Sequence, residues 1–350
     1  EMHDRILFVI RNHLEMSRFS NKFDLDDPEV IDSFAQFIEG EQRLRFLYVH
    51  TYCDANATAP DLWNDHKEEL HTHLFINTLN VLEGKHARKD PSVLKNAYME
   101  IIVEGVPKEN LIEHLEQVPE RYFSHTGKEE VALHVDMIHQ FRGNGNKSTK
   151  PIISWRNDMR RTLTIVDIVT KDKPALFEKI AGGFSVAGLN ILGARAVTRK
   201  DGIAIDVFYV EEEKGGIVND YKTRQLCESS IHAFLENETS PDKQIKEKRK
   251  KTDRNRLFSN EDRLGERIPP RVDVYHDVTL GRIIVEVRAA DQVGLLHSIA
   301  KTISKCGFSI LFARIATEQG IATDVFNIEP KDGIEEFSPS HFIELREELS

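Results

Sequence analysis

Apolar residues recur at helical spacing from Ile6 to about Glu83: Ile6, Val9, Ile10 and Leu14, then Val30, Phe34, Phe37 and Ile38, then Leu44, Leu47 and Tyr48. That period places them on one face of successive helices. Asp27-Pro28-Glu29 supplies a cap, a first-turn proline and an early acid for a helix expected to run to Gly40. After a polar break from Gly84 to Pro91, further helices are predicted around Ser92 to Val103 and Lys108 to Gln117. Arg142 to Pro151 has the composition of an exposed turn or linker.

Beyond it the period changes from helical to alternating. Thr162 to Thr170 is rich in Ile, Val and Thr and reads as a strand, and Leu176, Ile180, Phe184 and Ala187 form a helix stripe that stops at Gly188. Leu189 to Thr198 and Ile203 to Val210 flank Asp201-Gly202, a strong hairpin signal, and a helix follows near Asp220 to Leu235. The order β-α-β-β-α describes a sheet with helices on one face, a ferredoxin-like arrangement.

The same pattern is then written again. At one constant offset Asp172 maps on Asp291, Leu176 on Leu295, Ile180 on Ile299, Gly188 on Gly307 and Arg195 on Arg314. Asp206-Val207-Phe208 recurs as Asp324-Val325-Phe326 after a one-residue loop difference. A repeat held in register over so long a stretch is an architectural unit. Val272 to Val278 is predicted as the last strand of the first copy. No strand follows the last helix of the second, which leaves a sheet edge to be covered by the other copy or by another chain.

Composition narrows the class. With 350 residues, 40% apolar and 30% charged, the chain has the make-up of a soluble globular protein of two or three domains. No apolar run approaches the roughly 20 residues needed to cross a bilayer. Cys53, Cys227 and Cys306 are few and far apart, which argues against a disulfide framework and for a reducing, cytoplasmic location. The first residue is Glu1, with a helical pattern already running by Ile6, and the chain reads as a piece of a longer polypeptide. A net charge of -11 disfavours a general affinity for nucleic acid. The local exception is Lys243 to Arg256, where Lys243, Lys246, Lys248, Arg249, Lys250, Lys251, Arg254 and Arg256 face only Glu247 and Asp253. With no apolar partner residues, the run reads as a solvated linker or helix. An acidic protein surface or a nucleotide phosphate is the functional alternative, and the lack of interleaved aromatics weighs against a nucleic-acid arm.

In each copy a strand ends, Asp172 or Asp291 opens a tight turn, and Leu176 or Leu295 begins a helix. Unpaired N–H groups of the helix start would then stand beside the end of the sheet, a place able to hold a carboxylate or polar small molecule. Gly188 with Asn190-Ile191, and Gly307 with Ser309-Ile310, would bring the next strand alongside. An Asp N-cap and a helix-closing glycine account for the same residues without a ligand.

Both copies resemble ACT domains, small modules that bind amino acids at the turn after the first strand. The usual turn of that family is Asp-Arg-Pro-Gly-Leu, against Asp172-Lys173-Pro174-Ala175-Leu176 and Asp291-Gln292-Val293-Gly294-Leu295 here. One copy keeps the proline and the other the glycine, which predicts unequal sites. By this resemblance the candidate amino-acid-binding residues are Asp172, Pro174, Ala175, Leu176, Gly188, Asn190 and Ile191 in the first copy. Those of the second are Asp291, Gly294, Leu295, Gly307, Ser309 and Ile310.

A longer series of short matches covers nearly the whole chain: Asn12-His13-Leu14-Glu15-Met16-Ser17, Asp27-Pro28-Glu29-Val30-Ile31, Arg43-Leu44-Arg45, Asp54-Ala55-Asn56-Ala57-Thr58, Leu62-Trp63-Asn64, Val118 to Phe123 and Pro269-Pro270-Arg271-Val272. In this order they resemble the C-terminal half of the bifunctional uridylyltransferase and uridylyl-removing family that modifies the PII nitrogen-signalling protein. The resemblance implies an α+β chain. Residues 1–90 would be the C-terminal part of an all-α HD domain, 91–158 a helical connector and linker, 159–238 a first ferredoxin-like βαββα(β) ACT domain, 239–270 a basic linker and 271–350 a second ACT domain. It implies glutamine as the effector, favouring removal of UMP, and PII as the protein partner. In the full-length enzyme it implies UTP and UMP as substrate and product, and Mg2+ or Mn2+ to activate the hydrolytic water.

Asp54 matches the last metal-binding Asp of the HD motif, and His13 would face the same interior. The family's earlier His and His-Asp pair would lie upstream of Glu1, so that His3-Asp4 is not that pair, no complete catalytic set is expected here, and this chain alone would be inactive. No phosphate loop or paired-acid motif supplies a nucleotidyltransferase. His66, His71 and His73 read as a polar helix face rather than a zinc site. A stand-alone amino-acid-binding regulator without catalysis is the alternative reading.

Overall fold

The computed structural model describes residues 2–58, 63, 65–85, 91–143, 150–236, 240–257, 269–277, 280–318, 320–331 and 339–350. Its contacts divide the chain into two units. One holds chiefly Glu1–Tyr98 and Glu120–Thr126, and the other Met99–Pro119, Gly127–Asp277 and Arg282–Ser350.

The first unit is helical: α1 (Met2–Asn12), α2 (Glu15–Lys22), α3 (Pro28–Ile38), α4 (Glu41–Thr58), α5 (Asp65–Leu82), α6 (Pro91–Tyr98) and α8 (Glu120–His125). Asp27 caps α3 as its sequence requires, its carboxylate accepting the Glu29 N–H at 2.9 Å with Pro28 in the first turn. The helix closes at Glu39, which turns left-handed at φ 58°, one residue before the expected Gly40. Met16, Phe23, Phe34, Ile38, Leu44 and Leu47 are fully enclosed, and Phe19 packs its ring 4.6 Å from that of Phe34.

The second unit carries α7 (Lys108–Gln117) and α9 (Lys128–Gly143) and then an eight-stranded antiparallel sheet. Its strands are β1 (Ile152–Asp158), β2 (Leu163–Lys171), β3 (Leu189–Thr198), β4 (Ile203–Glu212), β5 (Arg271–Asp277), β6 (Arg282–Ala290), β7 (Phe308–Glu318) and β8 (Ile321–Pro330), with spatial order β1-β2-β4-β3-β7-β8-β6-β5. The helices α10 (Leu176–Ala187), α11 (Tyr221–Glu236), α12 (Asp242–Leu257), α13 (Leu295–Lys305) and α14 (Pro339–Leu349) complete it.

Two differences from the expected arrangement concern its strands. Each copy gains a strand before the turn-bearing strand, not after the last helix. β1 falls within the stretch read as connector and pairs with β2, and Val272 to Asp277 belongs to β5, which pairs with β6 of the second copy. The edge left over is closed by the repeat itself: β3 and β7 pair through Gly193 with Arg314, Ala194 with Ala313 and Arg195 with Phe312. The equivalent alanines of the two copies thus stand opposite each other, on the local two-fold axis. Both strands carry a bulge at the same repeat position, Ile191/Gly193 and Ile310/Phe312. The outer edges, β1 and β5, are studded with charge, Arg156, Asp158, Arg271, Asp273 and Asp277, which discourages further strand addition. Val166, Ile168, Phe184, Phe208, Val285, Ile303 and Phe326 join in one core between the sheet and the helices on its face.

Candidate functional site

The two repeat turns are wired alike. The Asp172 N–H donates to the Gly202 carbonyl at 2.8 Å and that of Asp291 to Gly320 at 2.9 Å, which ties each turn to the tip of the neighbouring hairpin. The Leu176 N–H reaches Lys173 O at 3.2 Å, and the Leu295 N–H reaches Gln292 O at 3.0 Å. The residue before each helix is left-handed, Ala175 at φ 65° and Gly294 at φ 82°, and neither helix has a side-chain cap. Asp172 and Asp291 are therefore not N-caps, and the first N–H groups of α10 and α13 receive no side-chain cap. The closing glycines do what the sequence suggested, Gly188 turning at φ 77° and Gly307 at φ 85°. Ala175 pays a steric penalty in this conformation, so Ala175→Gly should stabilise the chain by about 1 kcal/mol, read from urea unfolding.

Beneath each turn lies an acid that sequence reasoning passed over. Asp206 on β4 and Asp324 on β8 are buried among core residues of the helix-covered face. Burial, reinforced by the charge of Asp172 beside one and Asp291 beside the other, pushes both carboxyls up to about 8. Oδ1 of Asp324 is enclosed without a hydrogen-bond partner. The signal is a single acid in each of two strands that carry no other charge, Ile203 to Val210 and Ile321 to Ile328.

The surroundings of the turns involve both copies. Lys331, after β8, donates its backbone N–H to Gly307 O at 2.9 Å and its ammonium to Ser304 O and Oγ at 2.8 Å. It lies close enough to Glu178 and Asp172 for their charges to oppose the lowering of its pKa by burial. The start of α10 is thus beside the end of α13. The expected residues divide accordingly. Asp172, Pro174 and Ala175 are at the turn with its surface accessible, whereas Leu176, Ile191 and Ile310 are core residues that shape the turn from below. Asn190 is directed to its own hairpin, its amide donating to Glu211 Oε1 and to the Glu212 and Glu213 carbonyls at 3.4 Å. Asp291 and Leu295 are half-buried and Gly294 is fully covered.

In the helical unit, Asp54 is exposed on α4, one turn beyond His50, whose ring lies 5.9 Å from that of His13. The His13 Nδ1 is 3.0 Å from Ile10 O. Among the described residues one group of three or more has metal-binding spacing, Glu130, His134 and Asp167 in the other unit. There a cation is already supplied, because the Arg156 guanidinium donates to both oxygens of Asp167 at 2.7 and 2.8 Å and to Glu130 at 2.8 Å. The expected polar face of α5 is only partly so. His71 is buried and lowered in pKa chiefly by that burial, its Nδ1–H donating to Lys67 O at 2.7 Å and its Nε2 accepting from Ser17 at 3.2 Å. His73 pairs with Asp26 at 3.1 Å.

No family model matches the chain. Curated proteins do. A bifunctional uridylyltransferase/uridylyl-removing enzyme of Phenylobacterium zucineum is 29% identical over 94% of this chain and 34% of its own length. Those of Gluconobacter oxydans and Pseudomonas putida strain W619 are 27% and 29% identical over 99% and 93% of the chain. The chain is similar along nearly its whole length to part of these enzymes. It spans about a third of the length of the curated relatives it matches, consistent with the C-terminal part that its sequence resembles. No described helix is long and apolar enough to cross a membrane.

Proposed function

We propose that the chain is the sensing part of an enzyme that attaches UMP to the PII signal protein and removes it, and that its two sheet-forming copies are ferredoxin-like ACT modules reading glutamine. The observation that carries this reading is the set of groups gathered at the Asp172 turn. An uncapped helix start, the exposed Asp172 carboxylate and the Lys331 ammonium complement a zwitterion that has both a carboxylate and an ammonium. The similarity to enzymes named for adding and removing uridylyl groups supplies the context. In the same reading, the helical unit lends Asp54, with His13 nearby, to a Mg2+ or Mn2+ site for UMP hydrolysis whose other ligands stand outside this sequence. UTP is handled by a part of the enzyme also outside it.

Titration of the 350-residue chain with L-glutamine in a calorimeter should give saturable binding. Asp172→Asn should weaken it about tenfold by removing a charge-assisted contact. Failure of glutamine to bind, with the chain folded by circular dichroism, sinks the reading.

A further inference from the structure

The basic run between the copies is the helix α12, and it does have an apolar partner residue, contrary to its sequence pattern. Ile245 is 4% exposed and packs directly on Gly294, where an added Cβ would come within 2.4 Å of Ile245 Cγ2. One turn on, Arg249 donates through Nε and one Nη to the Val293 carbonyl at 3.2 and 2.9 Å. Lys248 reaches the closing turn of α10, its Nζ 2.7 Å from where a Gly188 Cβ would stand. At its first residue Asp242 accepts from Lys301 and lies 3.1 Å from His297 Nε2, both on α13. The Lys301 hydrogen bond, joined by those of Ser240 and His297, holds Asp242 well below the usual carboxylate range. α12 therefore runs along α13 from Lys301 back to the Asp291 turn, where Lys248 also meets the end of α10. The equivalent place at the Asp172 turn has Lys331 at its rim, with Pro174 exposed.

We infer that α12 is a built-in lid on the second of the two turns: it covers the Asp291 turn with Ile245 and Arg249, so that the chain takes up one amino acid, at the Asp172 turn, and offers a second site only when α12 lifts. This rests on the amino-acid reading proposed above. The swapped turn residues fit the division of labour. Gly294 is required where Ile245 presses on the backbone, while at the other turn Ala175 holds the same left-handed conformation with its Cβ in place.

The test uses the whole 350-residue chain in two versions besides the wild type. One is Ile245→Ala/Arg249→Ala, which removes the docking contacts. The other is Gly294→Ala, which evicts Ile245 from the opposite side. Trypsin, for which α12 is rich in target bonds, reports its docking without any ligand, and calorimetry with L-glutamine reports the number of sites. Expected are one glutamine per wild-type chain, cleavage within α12 about tenfold faster in either variant, and two glutamines per variant chain. Two sites in the wild type, unchanged cleavage in both variants, or a single site despite faster cleavage each overturn the lid alone. No glutamine heat in any of the three overturns the amino-acid reading and the lid with it.

Discussion

Replacing Asp206 or Asp324 with asparagine should flatten the fall in stability of the sheet-forming unit between pH 5 and pH 8. Each carboxyl is held near 8 in the folded chain against an ordinary value of 3.8. Over the interval between those values the folded state keeps a proton that the unfolded state has released, so unfolding gains ground as the pH rises. The stability contributed by the neutral acid is full below the ordinary value and is lost on approach to pH 8. One proton per site corresponds to a slope of about 1.4 kcal/mol per pH unit, and the amide carries no such slope. At pH 8 each variant should therefore exceed the wild type by about 2 to 5 kcal/mol, the upper figure applying if no water enters beside the carboxylate. Urea unfolding followed by Trp155 fluorescence in a Trp63→Phe background isolates this unit. Parallel wild-type and variant curves across that range would refute the burial argument.

The second large effect lies on the other side of the sheet. Asp167 is wholly buried on β2 with His134 of α9 at 3.3 Å and the Arg156 fork on both its oxygens. Burial alone would raise its pKa, but the hydrogen bonds from His134 and Arg156 outweigh it and bring the net shift below the usual range. Asp167→Ala strands the Arg156 charge and the buried imidazole together, which should cost about 3 to 5 kcal/mol. Glu130→Ala removes only a partly exposed partner of the same guanidinium and should cost about 1 kcal/mol. Equal losses for the two variants in urea unfolding would show that Asp167 is not the anchor. The native carboxylate contributes its stability above the ordinary Asp range, and that contribution fades as the pH falls through the lowered value.

What was legible in the chain follows from how local each signal is. The stripe Leu176, Ile180, Phe184 became α10 between a left-handed Ala175 and Gly188, because periodicity and punctuation act within a few residues. The Asp201-Gly202 hairpin is present for the same reason. The copy to which β5 belongs is not legible, because Val272 to Asp277 reads as a strand without saying which neighbour it pairs with, and that depends on distant residues. β1 was missed because Ser154, Arg156 and Asn157 interrupt the apolar pattern on an edge strand. The inequality of the turns was visible in Ala175 and Gly294, but its cause was not. A lone Ile245 among lysines and arginines reads as noise until the helix is seen to place it on Gly294.

Ala194 faces Ala313 across the seam where the copies join. Two such modules made as separate chains would have to find each other, losing translational and rotational freedom and falling apart on dilution. Here the pairing is intramolecular, at an effective concentration fixed by the connecting chain. Any effector taken up between the copies is therefore read at its own concentration alone, and the response curve should not move when the amount of protein in the cell changes.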